Sequence, residues 1–170
     1  MIAIGAAAGY VTLAAFQGRC PTESIVTVKG DHPMSRNVIL AASFPAPTTP
    51  ERLFDMYLDP QSHAAFTGAP VTIEPRPGSS FRAFDGALSG TMLHIEPKRL
   101  IVQTWRSANW STAAIDSVLV LSFWPQEDGA RIELVQVNVP DDDFAGVSQG
   151  WEHYYWTPWR AYLVGASPAY

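Results

Sequence analysis

The stretch Gly150-Trp151-Glu152-His153-Tyr154-Tyr155-Trp156, with Trp159 close behind, decides how this chain folds. Three of the chain's six tryptophans fall in it. Trp151, Tyr155 and Tyr162 recur at spacings that bring them near one face of a helix. A helix this aromatic needs a wide apolar surface to lie on, which makes it part of a packed core or the wall of a pocket for an apolar ligand. Pro158 stands inside the pattern and lacks a backbone donor, so a kink is expected near Tyr154 to Thr157.

Upstream of this helix the period changes from helical to alternating. Val71 to Glu74, Ser80 to Phe84, Ala87 to Glu96, Leu100 to Arg106, Ile115 to Trp124 and Ala130 to Val139 each read as strands. Pro77-Gly78, the hairpin dipeptide Asp85-Gly86, Pro97-Lys98 and Glu127-Asp128-Gly129 separate them, and a longer loop holds Trp110. The pattern is an antiparallel meander. Pro140 and Asp141-Asp142-Asp143 then introduce the last helix, with one aspartate expected as its cap and the others favoured by the helix dipole.

A further strand, Val38 to Phe44, comes first and is closed by Pro45 and Pro47. Thr49 is a fitting N-cap, Pro50 suits the first helical position, and Leu53, Phe54, Tyr57 and Leu58 give one apolar face. Asp59-Pro60 stops that helix, and a second short helical turn is expected over Gln61 to Phe66. One strand, two short helices, six more strands and a long final helix make an α+β fold. Its seven-stranded antiparallel sheet curls round the C-terminal helix, and the cavity should lie between them.

At 170 residues the chain fits one main domain, expected over residues 34–170, and a chain of this size buries roughly 70% of its unfolded surface. Residues 1–33 differ in character. Met1 to Gly18 carries no charged side chain and resembles a signal-like or marginal membrane segment, yet no Lys or Arg precedes the apolar run and its glycines weaken a helix. The stretch reads as an extension, or as the result of a start set too early. A net charge of −5 argues against nucleic acid as a partner. A membrane partner is expected only if that extension is an anchor. The single cysteine, Cys20, cannot form an internal disulfide, so a reducing, cytoplasmic setting is expected.

Chemistry-bearing motifs are sparse. None of the four histidines, His32, His63, His94 and His153, has a partner at metal-ligand spacing, and three successive aspartates cannot all face one cation. No nucleophile elbow, phosphate loop or dinucleotide glycine pattern occurs, so no catalytic residue, metal or cofactor is expected. Met92, His94 and Glu96 alternate on one face of their strand, which would place a polar group in an apolar pocket if that face points inward. Trp105 and Arg106 face opposite sides of theirs, the tryptophan inward and the arginine to the surface or rim. The candidate ligand-binding set is therefore Met92, His94, Trp105, Trp151 and Tyr155.

The order Phe44 with Ala46-Pro47, Leu53-Phe54, Asp59-Pro60, Phe84-Asp85-Gly86, Gly90, Pro97, Ile101-Val102-Gln103-Thr104-Trp105-Arg106, Trp110, Val139-Pro140 and Gly150-Trp151-Glu152 resembles a known family. It is similar to the C-terminal-domain type of the activator of the ninety-kilodalton heat-shock protein ATPase. That family is a branch of the START-like (SRPBCC, Bet v-type) helix-grip superfamily, which also holds polyketide cyclases and plant allergen-type carriers. The resemblance covers about Asn37 to Leu163 and implies a seven-stranded antiparallel sheet gripping a long helix. It does not extend to the co-chaperone's separate N-terminal domain, to which Met1 to Asp31 bears no likeness. Two roles follow. One is a non-enzymatic module binding a small hydrophobic molecule, or a protein partner such as a chaperone by family resemblance. The other is a cyclase- or hydrolase-type enzyme using His94 or Glu96 as acid or base.

Overall fold

A computed structural model describes residues 34–165, together with the backbone at Ala6–Ala7, Tyr10–Val11 and Val28–Lys29. The chain divides into two compact units, Met1–Pro33 and Met34–Tyr170. In the first, the three short strands pair antiparallel in chain order. The rest of the apolar run expected over Met1 to Gly18 lies outside the described residues, as does Cys20. No helix among the described residues is long and apolar enough to cross a membrane.

The second unit opens with β1 (Ser35–Pro45), in which Val38, Ala42 and Phe44 are buried while Ile39, Ala41 and Ser43 point outward. Helix α1 (Pro50–Leu58) begins where expected: the Thr49 hydroxyl accepts from the Arg52 N–H at 3.3 Å, and Pro50 occupies the first turn. Asp59 ends α1 and starts α2 (Pro60–Thr67), its carboxylate accepting from the Ser62 N–H at 2.8 Å. One residue thus turns the chain between two helices. Gly68, at φ 71°, closes α2 in the left-handed conformation that a side chain disfavours.

The strands β2 (Val71–Ile73), β3 (Ser80–Ala83), β4 (Leu88–Glu96), β5 (Leu100–Ser107), β6 (Ser117–Gln126) and β7 (Gly129–Pro140) form the meander. With β1 paired to β7 they make one seven-stranded antiparallel sheet of order β1-β7-β6-β5-β4-β3-β2. The expected hairpin at Asp85-Gly86 is instead a short 3₁₀ turn over Phe84–Gly86, with Phe84 and Asp85 both at φ 54°. Such a backbone is uncommon for a bulky residue. It aims the Phe84 ring at the space between sheet and helix, where Tyr155 meets it at 5.8 Å. Gly90 is required for a different reason: a Cβ there would lie 1.9 Å from the Thr104 carbonyl oxygen of β5.

After a 3₁₀ turn at Asp141–Asp143, the C-terminal helix runs as α3 (Phe144–Gly150), a π-helical turn (Trp151–Trp156) and α4 (Thr157–Leu163). The disturbance expected from Pro158 appears as this wider turn, in which the Thr157 N–H donates to the Glu152 carbonyl five residues back. The wide register places both Tyr155 and Trp156, four and five residues after Trp151, on the buried side. Trp159 then stacks on Phe66 of α2 with ring centroids 4.1 Å apart and planes 2° from parallel. The core lies between this helix, α1, α2 and the inner face of the sheet, and Phe44, Tyr57, Phe81, Leu119 and Leu121 fill it. Described residues and topology together are those of a START-like helix-grip fold.

Candidate functional site

The inner face of the sheet and the helix do not meet everywhere. Between the end of β5, the turn before β4 and the helix lies a cleft of about 670 Å³, walled by Phe84, Leu88, Trp105, Val147, Trp151 and Tyr155. Asp143, Asn109, His153 and Tyr154 stand among its polar or outer residues, and no lysine or arginine lines it. Gly146 and Gly150 put bare backbone on the helix side, which widens the opening.

Each wall residue is held by a traceable bond or stack. The Trp151 Nε1–H donates to Gln136 Oε1 at 2.9 Å, the Gln136 amide donates to Ser117 Oγ at 2.8 Å, and that hydroxyl donates to the Trp105 carbonyl at 2.7 Å. This buried chain ties the helix to three strands through polar groups that are all satisfied. Trp105 packs on Trp110 with ring centroids 5.3 Å apart. The Trp110 Nε1–H donates to Asp143 Oδ2 at 2.6 Å, so this aspartate, one of the three from which a helix cap was expected, holds the loop instead, and no side-chain cap bond forms there. Arg106, on the opposite face from Trp105, pins the same loop by donating to the Ser111 and Ala114 carbonyls at 2.6 and 2.8 Å and to Asp116 at 2.9 Å.

Behind the Tyr155 end of the cleft sits a second polar group set. The Tyr57 hydroxyl donates to Gln103 Oε1 at 3.2 Å, and the His63 ring lies 4.8 Å from Tyr57 and 5.6 Å from Tyr155. His63 Nδ1 is 2.7 Å from the Tyr57 carbonyl, which can only accept, so Nδ1 carries the proton and Nε2 is a bare acceptor. Burial lowers the His63 pKa to about 4, outweighing the bond to Tyr57, and the ring is neutral at ordinary pH. Burial likewise raises Tyr155 and Tyr57 above the usual phenol value.

Of the residues singled out from sequence, the structure brings Trp105, Trp151 and Tyr155 together in the cleft wall. It does not bring the others. Met92 is fully buried in the core away from the lining, and His94 and Glu96 are exposed. The expectation that these three share a face is corrected by a bulge: Met92 pairs with Gln103 but His94 pairs with Val102, so Leu93 is an extra residue that reverses the alternation. His94 and Glu96 therefore offer the cleft no acid or base. Sequence reading missed His63, Gln103 and Gln136, all fully buried. The two glutamines were signalled by alternation, since Gln103 falls between inward Ile101 and Trp105, and Gln136 follows inward Ile132 and Leu134.

A curled antiparallel sheet gripping a long helix, with an aromatic cleft between them, defines a helix-grip domain of the START-like class. The model of one family, described as Activator of Hsp90 ATPase homolog 1-like protein, matches residues 47–163. The chain belongs to that family. The Activator of 90 kDa heat shock protein ATPase homolog of Dictyostelium discoideum is 31% identical over 107 residues, which is 61% of this chain and 27% of that protein. The chain thus spans about a quarter of this relative's length. Among solved structures, a protein from Mesorhizobium loti aligns with TM-score 0.65 and 19% identity over 76% of this chain and 98% of its own. An HSP90 activator from Plasmodium falciparum aligns with TM-score 0.61 and 18% identity over 78% and 96% of the two chains. At these identities the two structures speak for the fold.

Proposed function

We propose that this domain is a non-enzymatic binding module that holds a small hydrophobic ligand in the cleft between sheet and C-terminal helix. The observation that carries the reading is the cleft itself: about 670 Å³ walled by Trp105, Trp151, Tyr155 and Phe84. That volume falls within the roughly 300–1,000 Å³ of small-molecule sites, and the mix of aromatic wall and few polar groups is what such sites use. Trp105 and Trp151 supply the apolar faces, and the bond chain through Gln136 and Ser117 keeps Trp151 in place before any ligand arrives. A reducing, cytoplasmic setting fits the lone Cys20.

Calorimetric titration of the full chain with isopropylnaphthalene, a flat apolar probe that the cleft can hold, tests the reading. Native mass spectrometry before and after denaturation complements it by finding any co-purified small molecule. Saturable binding that Trp151→Ala abolishes is the expected result. No binding of the probe together with a clean protein mass would overturn it.

A chaperone is the second reading, favoured by the name carried by the Dictyostelium relative, an activator of the 90 kDa heat shock protein ATPase. On the ligand reading, the full chain leaves the ATP turnover of that purified heat-shock protein unchanged. A saturable rise in turnover would move the assignment to the chaperone.

A further inference from the structure

The cleft wall and the layer behind it hide polar atoms that meet no partner. Among the described residues six buried side-chain polar atoms make no hydrogen bond: Trp105 Nε1 and Tyr155 OH in the wall, Gln103 Nε2 and His63 Nε2 behind it, and Trp156 Nε1 and Trp159 Nε1 further along the helix. Fewer than one buried polar group in ten is normally left so, and each one is costly to keep. On the neighbouring strands the Trp151-Gln136-Ser117 chain shows that the same fold can satisfy such groups fully. The four at and behind the wall are moreover contiguous. Gln103 and Trp105 are alternate residues on the inner face of β5. Gln103 holds Tyr57, Tyr57 packs on His63, and His63 packs on Tyr155. Trp105 and Tyr155 are themselves wall residues of the cleft, with Gln103 and His63 in the layer behind it.

We propose that the donors of this set form a polar anchor for the ligand, and that the ligand class is an uncharged apolar molecule carrying a hydrogen-bond-accepting carbonyl at one end. The inference rests on the ligand reading above and sharpens it. Trp105 Nε1–H and the Gln103 amide can only donate in the positions left open, and the Tyr155 hydroxyl can donate as well, so the open set is three donors and one acceptor and favours an accepting ligand group. The fourth open atom, His63 Nε2, only accepts, and the single proton of the Tyr155 hydroxyl goes to the carbonyl, so Nε2 is no part of the anchor. A carboxylate does not fit. No lysine or arginine lines the cleft, Asp143 does, and an anion brought against these buried groups would lack a counter-charge.

The test titrates the full chain calorimetrically with three naphthalenes substituted at the same ring carbon: methyl naphthyl ketone, isopropylnaphthalene and naphthoate. Ketone and hydrocarbon match in size and shape and differ in the carbonyl oxygen. The anchor requires the ketone to bind about tenfold more tightly than the hydrocarbon, as one to two added hydrogen bonds imply, with naphthoate weaker than the ketone. Tyr155→Phe then reduces the ketone preference by about threefold or more and leaves the hydrocarbon's affinity in place. Trp105→Phe, a second variant, does the same by removing the indole donor. Equal binding of ketone and hydrocarbon overturns the anchor while the cleft reading stands, since water alone would then satisfy these atoms. Tightest binding by naphthoate overturns the uncharged class. Failure of all three probes to bind, together with a clean protein mass, overturns the cleft reading and this inference with it.

Discussion

His63 makes stability depend on pH in a way that can be worked out in advance. Its ring is fully buried among Tyr57, Phe66, Phe81 and Tyr155, and burial lowers its pKa from the ordinary 6.5 to about 4. Well above pH 6.5 the ring is neutral whether the chain is folded or not, and His63 adds no pH dependence. As the pH falls from there towards 4, the unfolded chain takes up a proton that the native ring refuses, so stability drops. The loss is about 2 kcal/mol at about pH 5 and about 3 kcal/mol once both forms are protonated. His63→Asn is the fitting comparison, since an amide can donate to the Tyr57 carbonyl in place of Nδ1 without titrating. Urea unfolding followed by tryptophan emission, run on both proteins from about pH 7 to about pH 4 at constant ionic strength, gives the difference in stability at each pH. Carboxylates titrate in both proteins and cancel. The variant is less stable at neutral pH because it fills the site less well, and its deficit should shrink by about 2 kcal/mol by about pH 5. A difference that stays flat over that range would refute a neutral, desolvated His63.

Tyr155→Phe removes a buried hydroxyl that has no protein partner, so unfolding should show unchanged or increased stability, by up to about 1 kcal/mol. Trp151→Phe, by contrast, leaves Gln136 Oε1 without its donor and should cost about 1–3 kcal/mol in the same assay. Gly90→Ala forces a Cβ into the Thr104 carbonyl and should lower stability by more than about 2 kcal/mol, read as a fall in the urea midpoint. Trp159→Ala strips the stack on Phe66 and opens a cavity in the core, for an expected loss of about 3–5 kcal/mol.

Much of this architecture is written in local sequence. Thr49-Pro50 starts a helix as expected, and Asp59-Pro60, expected only to stop that helix, caps the next one by the same device. The strands were legible because burial on one face forces alternation, as in β6, where Leu119, Leu121 and Phe123 are inward. Trp105 was legible by the same logic, and Trp151 and Tyr155 by their helical spacing. Alternation fails where one inserted residue breaks it, and nothing in Met92-Leu93-His94 announces that Leu93 is the insertion. His63 was hidden for another reason: α2 mixes Gln61, Ser62 and Thr67 with Ala and Phe in no strong helical period, so its buried face is set by α4 and the sheet rather than by its own pattern. Asp143 had two uses open to it, and only the tertiary position of Trp110 decides between them.

The wide turn at Trp151–Trp156 divides the C-terminal helix into parts with separate duties. Beyond it, α4 carries Trp159, fully buried and stacked on α2, and so works as the anchor of the domain. Before it, α3 buries only Val147 and presents Gly146, Gln149 and Gly150 to the cleft. Substitution at Gln149 or Gly150 therefore reshapes the mouth of the cleft at little expense to folding, while a side chain at Gly146 would press on the Asp143 carboxylate that holds Trp110, and drift in α4 threatens the whole domain. Selectivity can evolve on one side of this joint with the scaffold conserved by physics on the other.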